Sequence, residues 1–366
     1  MPPSVPDEAP RGAPDEASRG DTAAPVATPY SWYVIGVLMV LNISSFVDRQ
    51  VMALMVTPIK ADFGLSDTQM GLLLGPAFAV TFSFSAFLVG RLADSRSRRT
   101  IIAVGVAFWS VMCTASGVAR SYGQLLVARV GVGLGESTLT PAAYSLIGDY
   151  FPPKRLATAM SVFSSGVFIG AGLAYLIGGT VVEMVQHLEP WNLPLLGQVR
   201  PWQRVFIVVG VPGLLLALLM LTVREPPRAH HRAGDTRGYP VSRVLAWYRK
   251  NGRAYGSFGV GIAFFATVNY GTAFWFPAFF ERAHGWGPGK IGLLMGGATM
   301  VFGGIGVLAG GQLADRLKKE GREDGNLLVI LLASVVSILA AVPLFLTSSE
   351  PVLIAALVVT NLAAAF

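Results

Sequence analysis

The chain has 366 residues, of which 53% are hydrophobic and only 13% are charged, and its mean hydropathy is +0.56. Soluble domains carry about 25% charged residues, so this composition excludes an ordinary soluble protein and indicates a membrane protein. The formal net charge of +7 indicates cytoplasmic loops rather than a nucleic-acid-binding surface, because the basic residues lie between apolar runs. The single cysteine, Cys113, excludes an intramolecular disulfide and a cysteine-based metal site. We expect no metal, no cofactor and no nucleic-acid partner.

Residues 1–28 are rich in Pro, Ala, Asp and Glu and contain nothing that a folded core would bury. We expect a disordered cytoplasmic tail rather than a signal peptide, because no apolar stretch follows a basic start. From Tyr30 onward, short polar stretches alternate with apolar runs, most of them near the roughly 20 residues that span a bilayer as a helix. The predicted membrane helices cover about residues 31–58, 69–92, 99–119, 122–148, 155–185, 204–223, 254–281, 289–313, 326–347 and 350–366.

Lysine and arginine residues concentrate in alternate loops of this series. The stretch Gly90 to Arg99 follows the second predicted helix, Lys154 and Arg155 follow the fourth, and the long loop 224–253 follows the sixth. Because positive charges mark cytoplasmic loops, we expect a multi-pass plasma (inner) membrane protein with a cytoplasmic N-terminus. The last run, Pro351 to Phe366, is short and has no basic anchor after it, so we expect a chain truncated after its tenth helix.

An internal repeat relates the two parts of the chain. At a gapless offset of 221 residues, Gly71 to Gly75 aligns with Gly292 to Gly296, and Gly90 to Asp94 aligns with Gly311 to Asp315. The second predicted helix therefore matches the eighth, and the long basic loop separates two related units. We predict a disordered tail at 1–28, an N-terminal six-helix bundle at 29–223, a cytoplasmic basic linker at 224–253 and a truncated C-terminal bundle at 254–366.

Two interpretations of the basic linker stay open: it binds anionic lipid head groups, or it is a solvated anchor that enforces topology. Inside the helices, glycines such as Gly131, Gly133 and Gly135 predict close helix contacts. Prolines within the apolar runs predict kinks, and they are Pro76, Pro141 and Pro277.

The residues from Gly90 to Arg99 resemble the signature of the major facilitator superfamily between helices two and three, in which a glycine, three further residues and an aspartate precede a basic turn. Ser95 and Ser97 stand where that signature usually has a basic residue and a glycine. Gly311 to Arg316 resembles the weaker second copy of the signature. The resemblance implies an all-α membrane protein with the major facilitator fold, two six-helix halves related by pseudo-two-fold symmetry, of which the second half is incomplete here.

Two shorter strings are similar to one branch of that superfamily. Val47 to Gln50 in helix one and Gly133 to Ser137 in helix four resemble the Spinster-like branch, and Arg129 to Glu136 resembles the arginine–glycine motif of helix four. The branch resemblance implies a transporter of lysophospholipids or sphingoid lipids that works by alternating access.

Four ionisable residues lie near the middle of apolar runs, where each costs about 2.5–3.5 kcal/mol and usually faces a cavity and a partner. They are Asp48, Arg49, Arg129 and Glu136. Positions 129 and 136 share one helix face. We predict that Asp48 pairs with Arg129, or with Arg49 through a bent geometry, which leaves Glu136 to gain and lose a proton during transport. The alternative is a permanent structural ion-pair network.

We expect a substrate cavity between the two halves. Polar and aromatic residues of the first and seventh helices and of the end of the fourth are its expected lining, namely Asn42, Ser45, Tyr144, Asn269, Tyr270, Thr272 and Trp275. The repeat places Asn269 at the position of Asp48, so the charge chemistry is concentrated in the first half. The alternative is that Phe274 to Phe276 faces lipid as an interfacial belt.

The superfamily resemblance implies a cytoplasmic gate at the loop ends, and its expected residues are Gly90, Asp94, Arg96, Arg98, Asp149, Arg155, Asp315 and Arg316. Asp149 is expected to hold Arg96 or Arg98, and Asp315 to face Lys154 and Arg155. The expected partner of Asp94 is an eleventh helix, which lies beyond the last residue. The alternative is that these arginines only enforce topology.

We therefore expect a proton-coupled secondary active transporter that moves an amphipathic anionic or zwitterionic lipid. The alternatives are a proton-coupled symporter of a small hydrophilic organic anion and an inactive fragment of such a transporter. Its expected partners are the bilayer, the substrate and protons, and we expect a monomer. We do not expect an enzyme, since no histidine cluster or Ser/His/Asp set lies within the apolar runs, and the missing Walker A lysine loop argues against ATP-driven pumping.

Overall fold

Almost every described residue belongs to a helix, as expected for apolar runs that must satisfy their own backbone hydrogen bonds in a bilayer. The structure of the protein is a computed structural model that describes residues 27–186, 191–193, 197–227, 241–322 and 324–365. The expected tail at 1–28 lies outside these residues except for its last two positions.

Fifteen α-helices, two short strands and one π-helical stretch succeed one another. They are α1 (Pro29–Leu54), α2 (Val56–Phe63), α3 (Asp67–Leu74), α4 (Pro76–Ser95), α5 (Arg98–Ser116), α6 (Tyr122–Glu136), α7 (Leu139–Tyr150), α8 (Pro153–Gln186), β1 (Trp191–Leu193), β2 (Gly197–Val199), α9 (Pro201–Met220), α10 (Val241–Lys250), α11 (Gly252–His284), α12 (Pro288–Gly297), the π-helical stretch Ala298–Gly303, α13 (Gly304–Lys319), α14 (Gly325–Leu346) and α15 (Glu350–Ala364).

Each of the ten predicted membrane helices has a counterpart, but four of them are interrupted. The second is divided into α3 and α4 immediately before Pro76, and the fourth into α6 and α7 shortly before Pro141. Proline lacks the N–H that would continue the helix, and its ring clashes with the preceding turn. Pro277, by contrast, lies inside the unbroken α11. The first predicted membrane helix is divided at Met55, and the eighth predicted membrane helix contains the π-helical stretch.

Among the described residues, seven helical segments are long and apolar enough to cross a membrane: Pro29–Leu54, Asp67–Ser95, Arg98–Ser116, Lys154–Met184, Pro201–Met220, Pro288–Ala314 and Leu327–Leu346. Their outward faces are apolar. On α14, for example, Leu331 is 61% exposed and Leu339 is 66% exposed. Lipid chains cover such surfaces without the cost that water would impose.

The first nine α-helices surround a core in which α1 packs on α8 and α5 packs on α6 and α9. The predicted glycine contacts are confirmed at the α4–α6 and α5–α6 crossings. A Cβ atom at Gly133 would lie 2.8 Å from the carbonyl oxygen of Phe78, and one at Gly135 would lie 2.7 Å from Cβ of Trp109. The later helices join this unit through α11 on α1 and α12 on α8.

Side-chain contacts define two ends of the bundle. At one end, which we call the basic end, Arg98 contacts Asp149 and Glu225, and Tyr30 contacts the residues that follow α9. At the opposite end, Asp67 contacts Lys60 and Arg282, and Trp202 donates to Asp62. The chain therefore runs from the basic end to the opposite end in α1 and returns in α6.

Two elements were not predicted. The strands β1 and β2 form an antiparallel hairpin that precedes α9, and α10 occupies the end of the predicted linker. Residues 228–240 of that linker lie outside the described residues, and the boundaries of the four predicted regions stay predictions.

Candidate functional site

A buried ion pair joins α1 to the end of α6. Arg49 Nε donates to Glu136 Oε2 at 2.5 Å, and Ser45 Oγ donates to the same oxygen at 2.7 Å. Arg49 Nη2 also donates to Ser45 Oγ at 3.2 Å, since residues four apart share a helix face. The side chains of Arg49 and Glu136 are 11% and 0% exposed, so the charges are paired away from bulk water.

The direction of the side chains explains why these two residues meet. A helical side chain leans toward the N-terminus of its helix. Because α1 and α6 run in opposite directions, Arg49 leans toward the basic end and Glu136 leans toward the opposite end. Their charged groups therefore meet at a depth between their two Cα atoms.

Three phenylalanine rings surround the guanidinium group of Arg49. Its Cζ atom lies 4.9, 4.5 and 5.0 Å from the ring centroids of Phe46, Phe78 and Phe82. A cation over an aromatic face is attracted by the ring quadrupole, most strongly where water is excluded. The rings therefore help to hold the guanidinium in place while leaving Glu136 as its only carboxylate partner among the described residues.

The predicted Asp48–Arg129 pair is wrong, as is the alternative Asp48–Arg49 pair. Arg129 leans toward the opposite end, where it donates to Ser116 Oγ at 3.2 Å and lies 4.9 Å from the ring of Phe206. Its only contact with Asp48 is to the backbone oxygen, at 3.5 Å. The Asp48 carboxylate is buried near the Cys113 thiol. The hydrogen bonds of Arg49 and of Arg129 therefore form two separate clusters, and Asp48 lies within electrostatic reach of both Arg129 and Glu136.

The sequence around Glu136 ends α6 at that residue. Ser137 and Thr138 form a turn before α7, and their hydroxyls donate to the carbonyl oxygens of Leu134 and Gly135 at 2.7 and 2.8 Å. These hydroxyls satisfy backbone acceptors that the interruption before Pro141 leaves without a helical partner. Glu136 is therefore fixed at a helix end.

A cavity of about 460 Å³ opens beside the ion pair. Six residues that were predicted for the ion pair or the cavity line it, namely Asn42, Ser45, Arg49, Glu136, Tyr144 and Tyr270. Aromatic and aliphatic side chains form much of the remaining wall, including Phe46, Phe82 and Phe163. The cavity therefore combines one charged pair with an apolar surface.

Three residues predicted for the cavity do not line it. Asn269 donates to the carbonyl oxygen of Phe265 in its own helix. Thr272 donates to the carbonyl oxygens of Val268 and Asn269 in the same helix. Such local bonds satisfy polar side chains on a helix without any ligand. Trp275 lies beside Gly71 of α3. A Cβ atom added at Gly71 would lie 3.6 Å from the ring of Trp275.

At the basic end, Arg98 binds several acceptors at once. It contacts Asp149 and donates to Ser145 Oγ at 3.0 Å. The contact with Asp149 is one of the two alternatives predicted for that aspartate. Its Nε donates to Glu225 Oε1 at 2.8 Å. Arg98 is 1% exposed, so its charge is buried between the two carboxylates that it bridges.

Glu225 is a site residue that the sequence prediction missed. It accepts from the backbone N–H of Arg98 at 3.2 Å, from that of Arg99 at 2.9 Å and from Ser97 Oγ at 2.9 Å. Burial alone would raise the pKa of this carboxyl, but these hydrogen bonds outweigh burial, and the pKa lies below its ordinary value of 4.5. Its sequence signal is an acidic residue shortly after α9, at the start of a predominantly basic loop.

The other predicted gate residues make fewer contacts. Asp94, Arg96, Arg155 and Arg316 are exposed, and Gly90 is partly buried. The side chain of Asp315 lies outside what the structure describes, so its predicted contact with Lys154 and Arg155 stays a prediction.

Comparisons with known proteins agree with this geometry. The family model described as Major Facilitator Superfamily matches residues 38–366. The chain is 30% identical to a structure described as a bacterial homolog to human lysosomal transporter, Spinster, in an inward-facing and unoccupied conformation. The TM-score is 0.75, and the match covers 93% of this chain and 74% of that one.

Curated relatives have different transport roles. The chain is 29% identical to an MFS-type efflux pump of Mycolicibacterium smegmatis, over 83% of this chain and 67% of the relative. It is 31% identical to protein spinster homolog 3 of Danio rerio, over 72% of this chain and 52% of the relative. It is 24% identical to a galacturonate transporter of Dickeya chrysanthemi, over 77% of this chain and 81% of the relative. The chain thus spans about half the length of the Danio rerio relative.

Proposed function

The chain belongs to the Major Facilitator Superfamily and to its Spinster-like branch, and on that basis we propose that it is a proton-coupled secondary transporter of an amphipathic anionic or zwitterionic lipid. Families with this fold carry small molecules through the bilayer by rocking of their two halves around a central site. The observation that carries the proposal is the buried Arg49–Glu136 pair at the wall of the central cavity.

The pair provides a means of coupling. With Glu136 ionised, its charge compensates Arg49, and the cavity wall has no net charge. When Glu136 takes up a proton, it becomes neutral, and the guanidinium of Arg49 is free to hold a phosphate or carboxylate group. Release of the proton restores the pair and displaces that group. One proton therefore moves with one anionic group.

The lining of the cavity supports an amphipathic substrate. Its head group would contact Arg49, while Phe46, Phe82 and Phe163 provide a wall for an apolar chain. Ligand sites usually combine such an apolar lining with a few polar groups that fix orientation. A lysophospholipid or a sphingoid lipid has both parts, which fits the Spinster-like resemblance.

A small hydrophilic organic anion is the second candidate. The similarity to a galacturonate transporter favours it, and Arg49 alone is sufficient to bind a carboxylate. This candidate makes no use of the phenylalanine wall. The two candidates therefore differ in whether that wall contributes to binding.

Transport by the purified protein in liposomes tests both candidates. We expect an imposed proton gradient to drive accumulation of a labelled lysophospholipid and a protonophore to abolish it. Phe163→Ala should weaken lysophospholipid uptake without weakening uptake of a hexuronic acid, because Phe163 lines the apolar wall and is not among the rings that contact the Arg49 guanidinium. Accumulation of the hexuronic acid alone would overturn the lipid proposal, and accumulation that ignores the proton gradient would overturn the coupling.

We also propose that the basic end faces the cytoplasm and acts as a gate. The support is the positive-inside rule for short loops and the contacts of Arg98 with Asp149, Ser145 and Glu225. They fix the ends of α5, α7 and α9 to one another, so that these ends move as one body. Labelling from one side only of a cysteine introduced at exposed Arg96 or Arg155 tests the orientation.

A further inference from the structure

The helix α10, Val241–Lys250, is amphipathic. Its apolar residues Val241, Val244, Leu245 and Tyr248 have the i, i+3, i+4, i+7 spacing that places side chains on one face of a helix. Arg243, Ala246 and Lys250 fall on the opposite side of the helix. This pattern differs from that of the membrane-spanning helices, which are apolar around most of their surface.

A bend separates α10 from α11. Asn251 has φ −104° and ψ 19°, and its Nδ2 donates to the carbonyl oxygen of Trp247 at 3.0 Å. Across this bend, the rings of Trp247 and Tyr255 lie 5.1 Å apart. The ψ angle of Asn251 departs from the α-helical value near −42°, so the axis of α10 is kinked relative to that of α11.

Large apolar side chains of α10 are open to their surroundings. Leu245 is 62% exposed, Trp247 is 50% exposed and Tyr248 is 49% exposed. Three exposed cations, Arg249, Lys250 and Arg253, lie beside them. Among the described residues, α10 packs mainly on α11, and those residues leave this surface uncovered.

We propose that α10 lies on the cytoplasmic leaflet of the bilayer and binds its acidic lipids. The inference rests on the proposed orientation, in which the basic end is cytoplasmic. Tryptophan and tyrosine prefer the depth of the lipid head groups, and amphipathic helices with basic polar faces lie in that plane. Arg249, Lys250 and Arg253 complement the negative head groups.

The position of α10 in the chain favours the lipid bilayer as its binding partner. A single residue, Asn251, separates it from α11, which corresponds to the seventh predicted membrane helix. The bilayer surface is therefore within reach of every side chain of α10, and its negative charge is opposite to that of α10. The open choice between an anionic-lipid site and a solvated anchor is resolved in favour of the lipid for this segment of the linker.

Neighbouring positions on α10 provide matched probes. Cys113 is the only native cysteine and is 0% exposed, so a fluorophore will label a new thiol selectively in Leu245→Cys or in Ala246→Cys. Consecutive residues point about 100° apart on a helix, which places the first label on the apolar side and the second on the polar side. Each protein is placed in nanodiscs of phosphatidylcholine with and without phosphatidylglycerol.

We expect the label at position 245 to be quenched by lipid-borne nitroxides and protected from aqueous iodide when phosphatidylglycerol is present. The label at position 246 should remain accessible to iodide. The double variant Arg249→Gln, Lys250→Gln should lose the effect of phosphatidylglycerol. Equal iodide quenching at both positions would overturn the proposal, as would protection of position 245 from both quenchers, which would indicate a protein surface over α10. Insertion that is the same in both lipid compositions would overturn the binding of acidic lipids.

Discussion

The two carboxylate oxygens of Glu136 have different surroundings. Oε2 accepts from Arg49 and Ser45, whereas Oε1 is buried and has no hydrogen-bond partner. A buried acceptor without a partner costs about 1–3 kcal/mol. Protonation of Oε1 would turn this unpartnered acceptor into a hydroxyl group. The asymmetry therefore supports Glu136 as the group that carries the proton.

Replacing Glu136 with Gln should abolish proton-driven uptake in liposomes, because the amide neither gains nor loses a proton. Downhill exchange of substrate should continue, since Arg49 remains available to the anion. The measurement is uptake as a function of external pH. Glu320→Gln, at an exposed position of the basic end, is the control and should keep the normal pH dependence. A pH profile unchanged by Glu136→Gln would exclude this residue as the coupling group.

Glu225 predicts how stability depends on pH. Since its pKa in the folded protein is lowered, the folded state favours the ionised carboxyl. The stabilisation is complete above the ordinary pKa of 4.5 and is lost as the pH falls through the lower folded value. Glu225→Gln should therefore lower the thermal unfolding temperature at neutral pH, and the difference from the parent protein should shrink in acid.

The size of this effect follows from the bonds that are weakened. Hydrogen bonds to a charged acceptor contribute about 1.5–3 kcal/mol each, and the glutamine oxygen replaces them with neutral ones. Thermal unfolding in detergent at several pH values measures the loss, with Glu320→Gln as the control for removal of an acidic residue. A constant difference between Glu225→Gln and the parent protein at all pH values would contradict the lowered pKa.

Particular residues show how far the sequence predicts the site. The Arg98–Asp149 contact was predicted because both residues lie at helix ends that the chain order brings to the same side. The predicted partner of Asp48 was wrong because depth was counted along the helix axes, which ignores the opposite lean of side chains on antiparallel helices. Glu225 lies 127 residues from Arg98, and no local pattern in the sequence connects positions that far apart.

At the scale of single helices, the interruptions follow proline only in part. Pro76 and Pro141 end the helices before them, whereas Pro277 is accommodated inside α11. The repeat adds a second regularity, because its offset places Gly75 and Pro76 near the start of the π-helical stretch Ala298–Gly303. Both copies thus interrupt regular α-helix at one place, the first with a break and the second with a wider turn.

The crossing of α8 and α12 depends on glycine. A Cβ atom at Gly292 would lie 2.3 Å from the carbonyl oxygen of Tyr175 and 2.9 Å from Cα of Gly179. Gly292→Ala should therefore force the two helices apart and cost about 1–3 kcal/mol, as overpacking usually does. The measurement is the thermal unfolding temperature of the purified protein.

Gly297, in the same helix, is the matched control. A Cβ atom there would meet nothing within 4 Å, and alanine favours helix more than glycine does. Gly297→Ala should therefore leave the unfolding temperature unchanged or raise it. Equal effects of the two substitutions would show that the backbone contact at Gly292 is not tight.

At the scale of the whole molecule, two side-chain ties between the halves lie at the opposite end. Arg282 of α11 donates to Asp67 of α3 at 3.0 Å, and Thr57 of α2 donates to Glu281 at 2.6 Å. The alternating access proposed for the protein would require these two ties to break when the halves open at that end.

Arg282→Gln should shift the balance toward the state that is open at the opposite end. The shift should be less than about tenfold, because exposed ion pairs contribute little. Hydrogen exchange of the backbone measures it, and we expect faster exchange in α2, α3 and the end of α11. Lys60→Gln is the control, since Lys60 contacts Asp67 at 2.8 Å from within the same half. Equal acceleration of hydrogen exchange by both variants would show that the contact between the halves does not control this balance.

The composition of α6 and α7 has a consequence for how the protein enters the membrane. Together they carry Arg129, Glu136 and an interrupted backbone, and neither helix meets the length needed to span a bilayer. Each charge opposes insertion by about 2.5–3.5 kcal/mol. Their partners, Ser45 and Arg49 for Glu136 and Ser116 for Arg129, are all synthesised earlier. During synthesis from the N-terminus, α6 and α7 therefore enter a bilayer that already contains the helices with their partner residues. We expect the α6–α7 segment to insert poorly when it is made alone.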